Sequence, residues 1–251
     1  MIFIKQNPSI FADALYREAQ GLACLRGNLQ KTTVHTRIAI PEVIDVNEQK
    51  LTLQAINTQT ARPEQLQQLG MALATLHQIP QPFYGFPNDN YIGLNPQPNG
   101  RFHHWGDFFL QQRLQFQVSL IHDNQRQEQF QQILAQHGSK LADFLSTHCQ
   151  QASLLHGDLW HSNVLFDNER AWLIDPAVYY GDREADLAMT EMFGGFSPQF
   201  YQAYAEQFPL TGVYPQKKIL YNLYHYLNHY NLFGQAYLPG CEQGFRLLEA
   251  L

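Results

Sequence analysis

Asp158, Asn163 and Asp175 lie within one short stretch of the chain. LLHGDLWHSNVLF at 154–166 is followed shortly by LIDPA at 173–177. Two carboxylates and an amide oxygen are hard ligands, and they suit Mg²⁺ better than zinc. A carboxylate in such a loop can also accept the proton of an attacking hydroxyl, which is the role expected of Asp158. His156 and His161 sit in the same loop, where His156 is expected to support its shape. Taken singly, an Asp or Asn in a loop most often caps or turns the chain. Only the joint arrangement carries weight.

The flanking segments explain how these groups would meet. Val164-Leu165-Phe166 and Ala171-Trp172-Leu173-Ile174 are short apolar runs joined by the turn-rich Asp167-Asn168-Glu169-Arg170, which predicts a β-hairpin. Its entry carries Asp158 and Asn163 and its exit carries Asp175. All three therefore fall at the same end of a small sheet. Upstream, Ile2-Phe3-Ile4-Lys5 reads as a strand and residues 10–26 as a helix ending at Gly27. Glu18 lies on the helix face shared by Ala14 and Leu22. Val43–Val46 and Leu51–Ile56 read as strands around a polar turn. From Pro63 the pattern is helical, over 63–78, 107–120, 126–148, 183–193, 198–207 and 215–232. Asp182 is expected to cap the helix that starts near Arg183. The expected fold class is α+β, with a small head over residues 1–57, a larger and mainly helical body over 58–251, and a hinge near Gln54–Gln59. Glutamines crowd the middle helices, but the apolar period persists there, so they read as solvated faces.

Composition narrows the function. The 251 residues carry a net charge of −6, with 45% hydrophobic and 15% charged residues. That balance argues against a nucleic-acid or anionic-membrane binder. Cys24, Cys149 and Cys241 are too few and too scattered for a disulfide framework, which fits a cytoplasmic protein. MIFIKQNPSIF has no apolar run long enough for a secretory leader, and no run approaches a membrane span.

The spacing Asp158-Leu-Trp-His-Ser-Asn163, with a later Asp175, is similar to the Asp-x-x-x-x-Asn and metal-binding Asp of protein kinases. Lys5 on a strand and Glu18 on the next helix match the lysine–glutamate pair of those enzymes. The chain more closely resembles the fructosamine kinase (ketosamine-3-kinase) family. The similarity is carried by LLHGDLWHSNVLF, IDPAVYYGDREADLAMTE, DNYIGLNPQPNG, WGDFFLQQRL and LYHYLNHYNLFG. The resemblance implies a two-lobed protein-kinase-like fold and ATP-dependent phosphorylation of a sugar hydroxyl on a ketosamine, a deglycation chemistry. It implies Asp158 as base, Asn163 and Asp175 as Mg²⁺ ligands, and Lys5 and Glu18 as the pair that positions the ATP phosphates. Gln54 and Ile56 at the hinge are expected beside the nucleotide. Trp160, His229, Tyr179 and Asp89 are expected on the substrate side, with Asn90 and Tyr91 as weaker companions of Asp89.

The sequence also departs from the family. A strand–glycine-rich turn–strand normally precedes the lysine strand, and only four residues precede Lys5. Phosphate binding is then expected to rest on Lys5 and Mg²⁺. Ile2–Lys5 becomes an open sheet edge through which a dimer could form. Leu53-Gln54-Ala55-Ile56 stands where a Glu–aromatic pair is usual, and His161-Ser162 replaces Ser-Gly. Two other readings stay open. One is a catalytically weak or inactive nucleotide-binding pseudokinase of the same fold. The other is a metal-dependent hydrolase using His156, Asp158, His161 and Asp175. His225 and His229 also have a zinc-like spacing, but Tyr226 stands where HExxH has its Glu.

Overall fold

The computed structural model describes residues 1–33 and 37–251. The chain runs β1 (Ile2–Gln6), α1 (Ala14–Leu29), β2 (Ile38–Ala39), β3 (Val43–Val46), β4 (Lys50–Gln54) and α2 (Pro63–His77). Four short strands follow, β5 (Tyr84–Phe86), β6 (Asn90–Ile92), β7 (Asn95–Gln97) and β8 (Gly100–Phe102). Then come α3 (Trp105–Phe108), a π-helical segment (Phe109–Gln115), α4 (Phe116–Ser119) and α5 (Asn124–Thr147). Next are β9 (Ser153–Leu155), β10 (Val164–Phe166), β11 (Ala171–Leu173) and β12 (Tyr179–Gly181). The last elements are α6 (Glu184–Met192), α7 (Pro198–Gln207), α8 (Tyr214–Phe233) and α9 (Leu238–Ala250).

The expected α+β architecture is present, with differences that have local causes. Asn7 closes a turn by accepting from Ser9 N and donating to Phe11 O, which delays α1 to Ala14 and leaves Ile10 exposed. Gly27 does not stop α1, because the apolar face continues to Leu29. Leu15, Leu22, Leu25 and Leu29 are all buried, and each contributes roughly 1.5–3 kcal/mol relative to an exposed side chain. Residues 107–120 are not one α-helix but pass through the π-helical segment. The wider turn accompanies a fully buried Arg113, whose guanidinium lies 4.1 Å from the Tyr179 ring centroid and donates to Pro98 O and Asn99 Oδ1. The glutamine-rich α5 buries Phe130, Ile133, Leu134 and Leu141 and turns Gln131, Gln132 and Gln136 to solvent, as the apolar period requires.

Among the described residues, one sheet has the order β1–β4–β3, antiparallel throughout. β1 is its edge, with Ile2, Phe3 and Ile4 exposed. The predicted hairpin is present, pairing Val164 with Leu173 and Phe166 with Ala171. β2 does not stay with the head. It pairs in parallel with β11, Ile38 opposite Ala171 and Ala39 opposite Trp172, so the first sixty or so residues are stitched to the hairpin that carries the polar loop. Asp182 accepts from Glu184 N at 3.0 Å, as a helix-start residue should. It also meets the buried Lys217 Nζ at 2.5 Å, while Glu184 meets the same ammonium at 2.7 Å. A lysine without solvent thus keeps two carboxylates, as burial of its charge requires.

His225 lies in α8 with its Nδ1 buried and without a hydrogen-bond partner among the described residues. Burial, and next the neighbouring His229, push its pKa down to about 3. The unfolded chain protonates this ring near pH 6.5 and the folded chain does not. Stability is therefore retained above that pH and lost as pH falls toward 3, by about 1.4 kcal/mol per pH unit for one such proton. Replacing His225 with Gln is expected to flatten the decline of the thermal midpoint between pH 6.5 and 4. Parallel curves for the two proteins would remove His225 as a source of acid lability.

Candidate active site

The loop after β9 holds its shape through a carboxylate outside the loop. Asp186, buried in the first turn of α6, accepts from His156 N at 2.7 Å and from Gly157 N at 2.9 Å. His77 Nε2 lies 3.3 Å from the same group. Burial works against the Asp186 charge, but His77, His156 and the loop amide together hold its pKa below the ordinary value. Gly157 has φ +81°, and a Cβ there would collide with the Ala177 carbonyl, so glycine is required on both counts. The His156 ring supports the loop as expected. Its Nε2 is 2.9 Å from Ile174 O, and Asp158 N lies 3.4 Å from its Nδ1. These partners fit the neutral Nε2–H tautomer, and burial pushes the ring pKa down.

The two polar loops are zipped together. Ile174 N donates to Asn163 O at 3.1 Å, and Ala177 N donates to His156 O at 2.9 Å. Asp175 stands between these bonds at φ 53°, the one non-glycine residue with positive φ among those described. Asp tolerates the left-handed region better than most residues. Asp175 Oδ1 meets Lys5 Nζ at 3.0 Å, and Lys5 meets Glu18 Oε2 at 2.8 Å. Burial opposes the Lys5 ammonium, but Glu18 and Asp175 outweigh it and hold its pKa above the usual lysine value. Burial pushes the Glu18 carboxyl up despite Lys5, and Asp175 adds to the push.

Asn163 Nδ2 donates to Asp158 O at 2.8 Å and to Asp158 Oδ2 at 3.1 Å. With both N–H groups engaged, Oδ1 is the atom left for a ligand. Burial pushes the Asp158 carboxyl up to about 7, against the pull of the Asn163 hydrogen bond. Lys5, Glu18, Asp158, Asn163 and Asp175 line one cavity of about 260 Å³, and Trp160 lines it too. The free donors are an amide oxygen and carboxylate oxygens, which fits a hard divalent cation such as Mg²⁺. No group of three or more His, Cys, Asp or Glu arranged to hold a metal occurs among the described residues, and His225 turns its backbone oxygen, not its ring, to His229 Nδ1.

Gln54 and Ile56 line a separate apolar cleft of about 270 Å³ with Phe3, Leu53, Leu165 and Ile174, and Asp175 borders this cleft as well. Three expected substrate-side residues lie elsewhere. Tyr179 faces the interior of the sheet β5–β12–β9, beneath Arg113 and parallel to Trp105, so its 1% exposed side chain does not reach the cleft. Asp89 points to solvent and accepts from Asn99 N, while its neighbours Asn90 and Tyr91 line the cavity instead. His229 meets the cleft only through Phe193, with ring centroids 5.3 Å apart, and Phe193 in turn lies 5.5 Å from Trp160. Sequence reasoning passed over Asp186 and Arg17. Asp186 had one visible signal, an acid in the first turn of a helix start. Arg17, in the first turn of α1, had only its i,i+4 spacing from Asp13.

Replacing Asp186 with Ala leaves two buried loop N–H groups without an acceptor. The expected loss is about 3 kcal/mol or more, read from urea denaturation. A loss below about 1 kcal/mol would show that the loop is held by other groups.

A relative from Vibrio parahaemolyticus, named a probable ketoamine kinase, is 39% identical over 94% of this chain and 81% of its own. A solved Haemophilus somnus 129PT protein assigned as a fructosamine-3-kinase superposes with a TM-score of 0.80 at 29% identity, covering 99% of this chain and 82% of the other. The streptomycin–ATP complex of the aminoglycoside phosphotransferase APH(2'')-IIa shares the fold alone, with a TM-score of 0.58 at 15% identity over 99% of this chain and 84% of the other. The family model for fructosamine kinase matches residues 1–249. The loop, the hairpin and the lysine–glutamate pair thus sit in a chain that belongs to the fructosamine kinase family.

Proposed function

We propose that this kinase transfers the γ-phosphoryl group of ATP to a sugar hydroxyl of a ketosamine such as a fructosamine, with Mg²⁺ held by Asn163 Oδ1 and the Asp175 carboxylate. The observation that supports this most is the convergence of Lys5, Glu18, Asp158, Asn163 and Asp175 on one cavity, in a chain whose relatives are named for ketoamine phosphorylation. Asp158 takes the proton of the attacking hydroxyl. The hydroxyl oxygen forms a bond to the γ-phosphorus, the bond to the bridging oxygen breaks, and ADP leaves with that electron pair. Lys5, aimed by Glu18, offers its ammonium to the phosphate oxygens. When bound, Mg²⁺ neutralises the charge on those oxygens. The apolar cleft at Ile56 and Gln54 suits a flat, apolar adenine. Trp160 offers an aromatic face to the sugar.

Free thiols at Cys24, Cys149 and Cys241 suit a reducing cytoplasm. No helix of the described residues is long and apolar enough to cross a membrane.

Asp158→Ala is expected to lower kcat/KM for a fructosamine by roughly 10²–10⁴-fold while the protein still gains thermal stability from Mg·ATP. Wild-type protein that binds Mg·ATP and transfers phosphate to no glycated amine would overturn the kinase assignment. It would leave a nucleotide-binding role on the same fold.

A further inference from the structure

Arg17 lines the same cavity as Asp158, and the proposed reaction gives it no task. Its Nε donates to Asp13 Oδ2 at 2.8 Å. Asp13 Oδ1 accepts from the Tyr91 hydroxyl at 2.5 Å. Tyr91 packs on Phe11, with ring centroids 4.8 Å apart. Its neighbour Asn90 is fixed in the interior by donating to Val178 O at 2.8 Å and accepting from Gln97 at 2.7 Å. The guanidinium is therefore held from behind by a carboxylate that is itself anchored across the cleft. No hydrogen bond or ion pair among the described residues engages either terminal nitrogen, Nη1 or Nη2. Lys5, the other cation of the cavity, contacts Glu18 and Asp175 and in the proposed reaction is taken up by the phosphates of ATP.

A guanidinium fixed through Nε presents its terminal fork, two parallel N–H groups in a plane. That fork matches a planar carboxylate. The remaining charged groups of the cavity, Glu18, Asp158 and Asp175, are acids and would repel an anion. With Lys5 given to the phosphates, Arg17 is the cation left for an anionic group on the phosphate acceptor. The ketosamine of a free amino acid carries its carboxylate one carbon from the sugar-bearing amine, whereas an adduct on a protein lysine side chain carries none nearby. We infer that the Asp13–Arg17–Tyr91 unit is a carboxylate subsite, and that the preferred substrates are ketosamines of free amino acids. This inference rests on the ketosamine-kinase reading for its substrate class.

The test is calorimetric binding of fructosyl-glycine and of its carboxamide to the wild type, Arg17→Gln and Arg17→Lys, so that it does not depend on turnover. The carboxylate compound is expected to bind the wild type about tenfold more tightly than the amide. Arg17→Gln should bring that ratio close to one. Arg17→Lys, which keeps the charge but loses the fork, should give an intermediate ratio. Equal affinities in the wild type, or a ratio that survives Arg17→Gln, would overturn the subsite. So would weakened Mg·ATP binding in Arg17→Gln with the ratio intact, which would assign Arg17 to the nucleotide phosphates. The intended ratio without phosphoryl transfer would sink the kinase reading and leave the carboxylate subsite standing.

Discussion

Asp186 carries a negative charge in the protein interior, and the polar loop is built around it. A buried carboxylate is costly unless every lone pair finds a donor. Here the donors are the His156 and Gly157 amides and the His77 ring. Satisfying the charge therefore dictates the path of the backbone that leads into Asp158. The same path requires glycine at 157, where the backbone is left-handed and the Ala177 carbonyl is close. His156 then reaches Ile174 O, so the shape imposed on one loop is passed to the other, and Asp175 is placed as a consequence of Asp186.

The second constraint is one of charge. Lys5 sits between Glu18 and Asp175, two carboxylates that would otherwise repel each other. The lysine bridges α1 to the exit of the hairpin, so the head and the polar loops are aligned by one ammonium. Asp158 has no such cation in contact. Its partner is the amide of Asn163, which stabilises the charge less than a cation would, and burial keeps the carboxyl partly protonated near neutral pH. The cavity thus holds one carboxylate with no cation in contact beside two that share a lysine.

Much of this was legible in the sequence because it is local. The hairpin follows from two apolar runs and a turn, whereas the pairing of Lys5 with Glu18 was legible only through the resemblance to kinases. Tyr179 was misplaced because strand register decides which side of a sheet a residue faces, and the register of β12 is set by β5 and β9 rather than by its own sequence. Asp89 and Asn90 differ by one position in a turn, and only the turn geometry decides which of them faces the cleft. Asp186 acts through partners distant in sequence, on the polar loop, and Arg17 is tied to β6 only through Asp13. The π-helical segment around Arg113 left no trace in the apolar periodicity.

The parallel pairing of β2 with β11 has a consequence for how the chain reaches this structure. A strand near the start must wait for a strand from the middle of the body, and the loop closed between them contains most of the helices that lie ahead of the polar loop. Contacts of such long sequence separation slow folding. The β1–β4–β3 sheet pairs within the first sixty or so residues, so its register does not wait for the hairpin, and what waits is the attachment through β2.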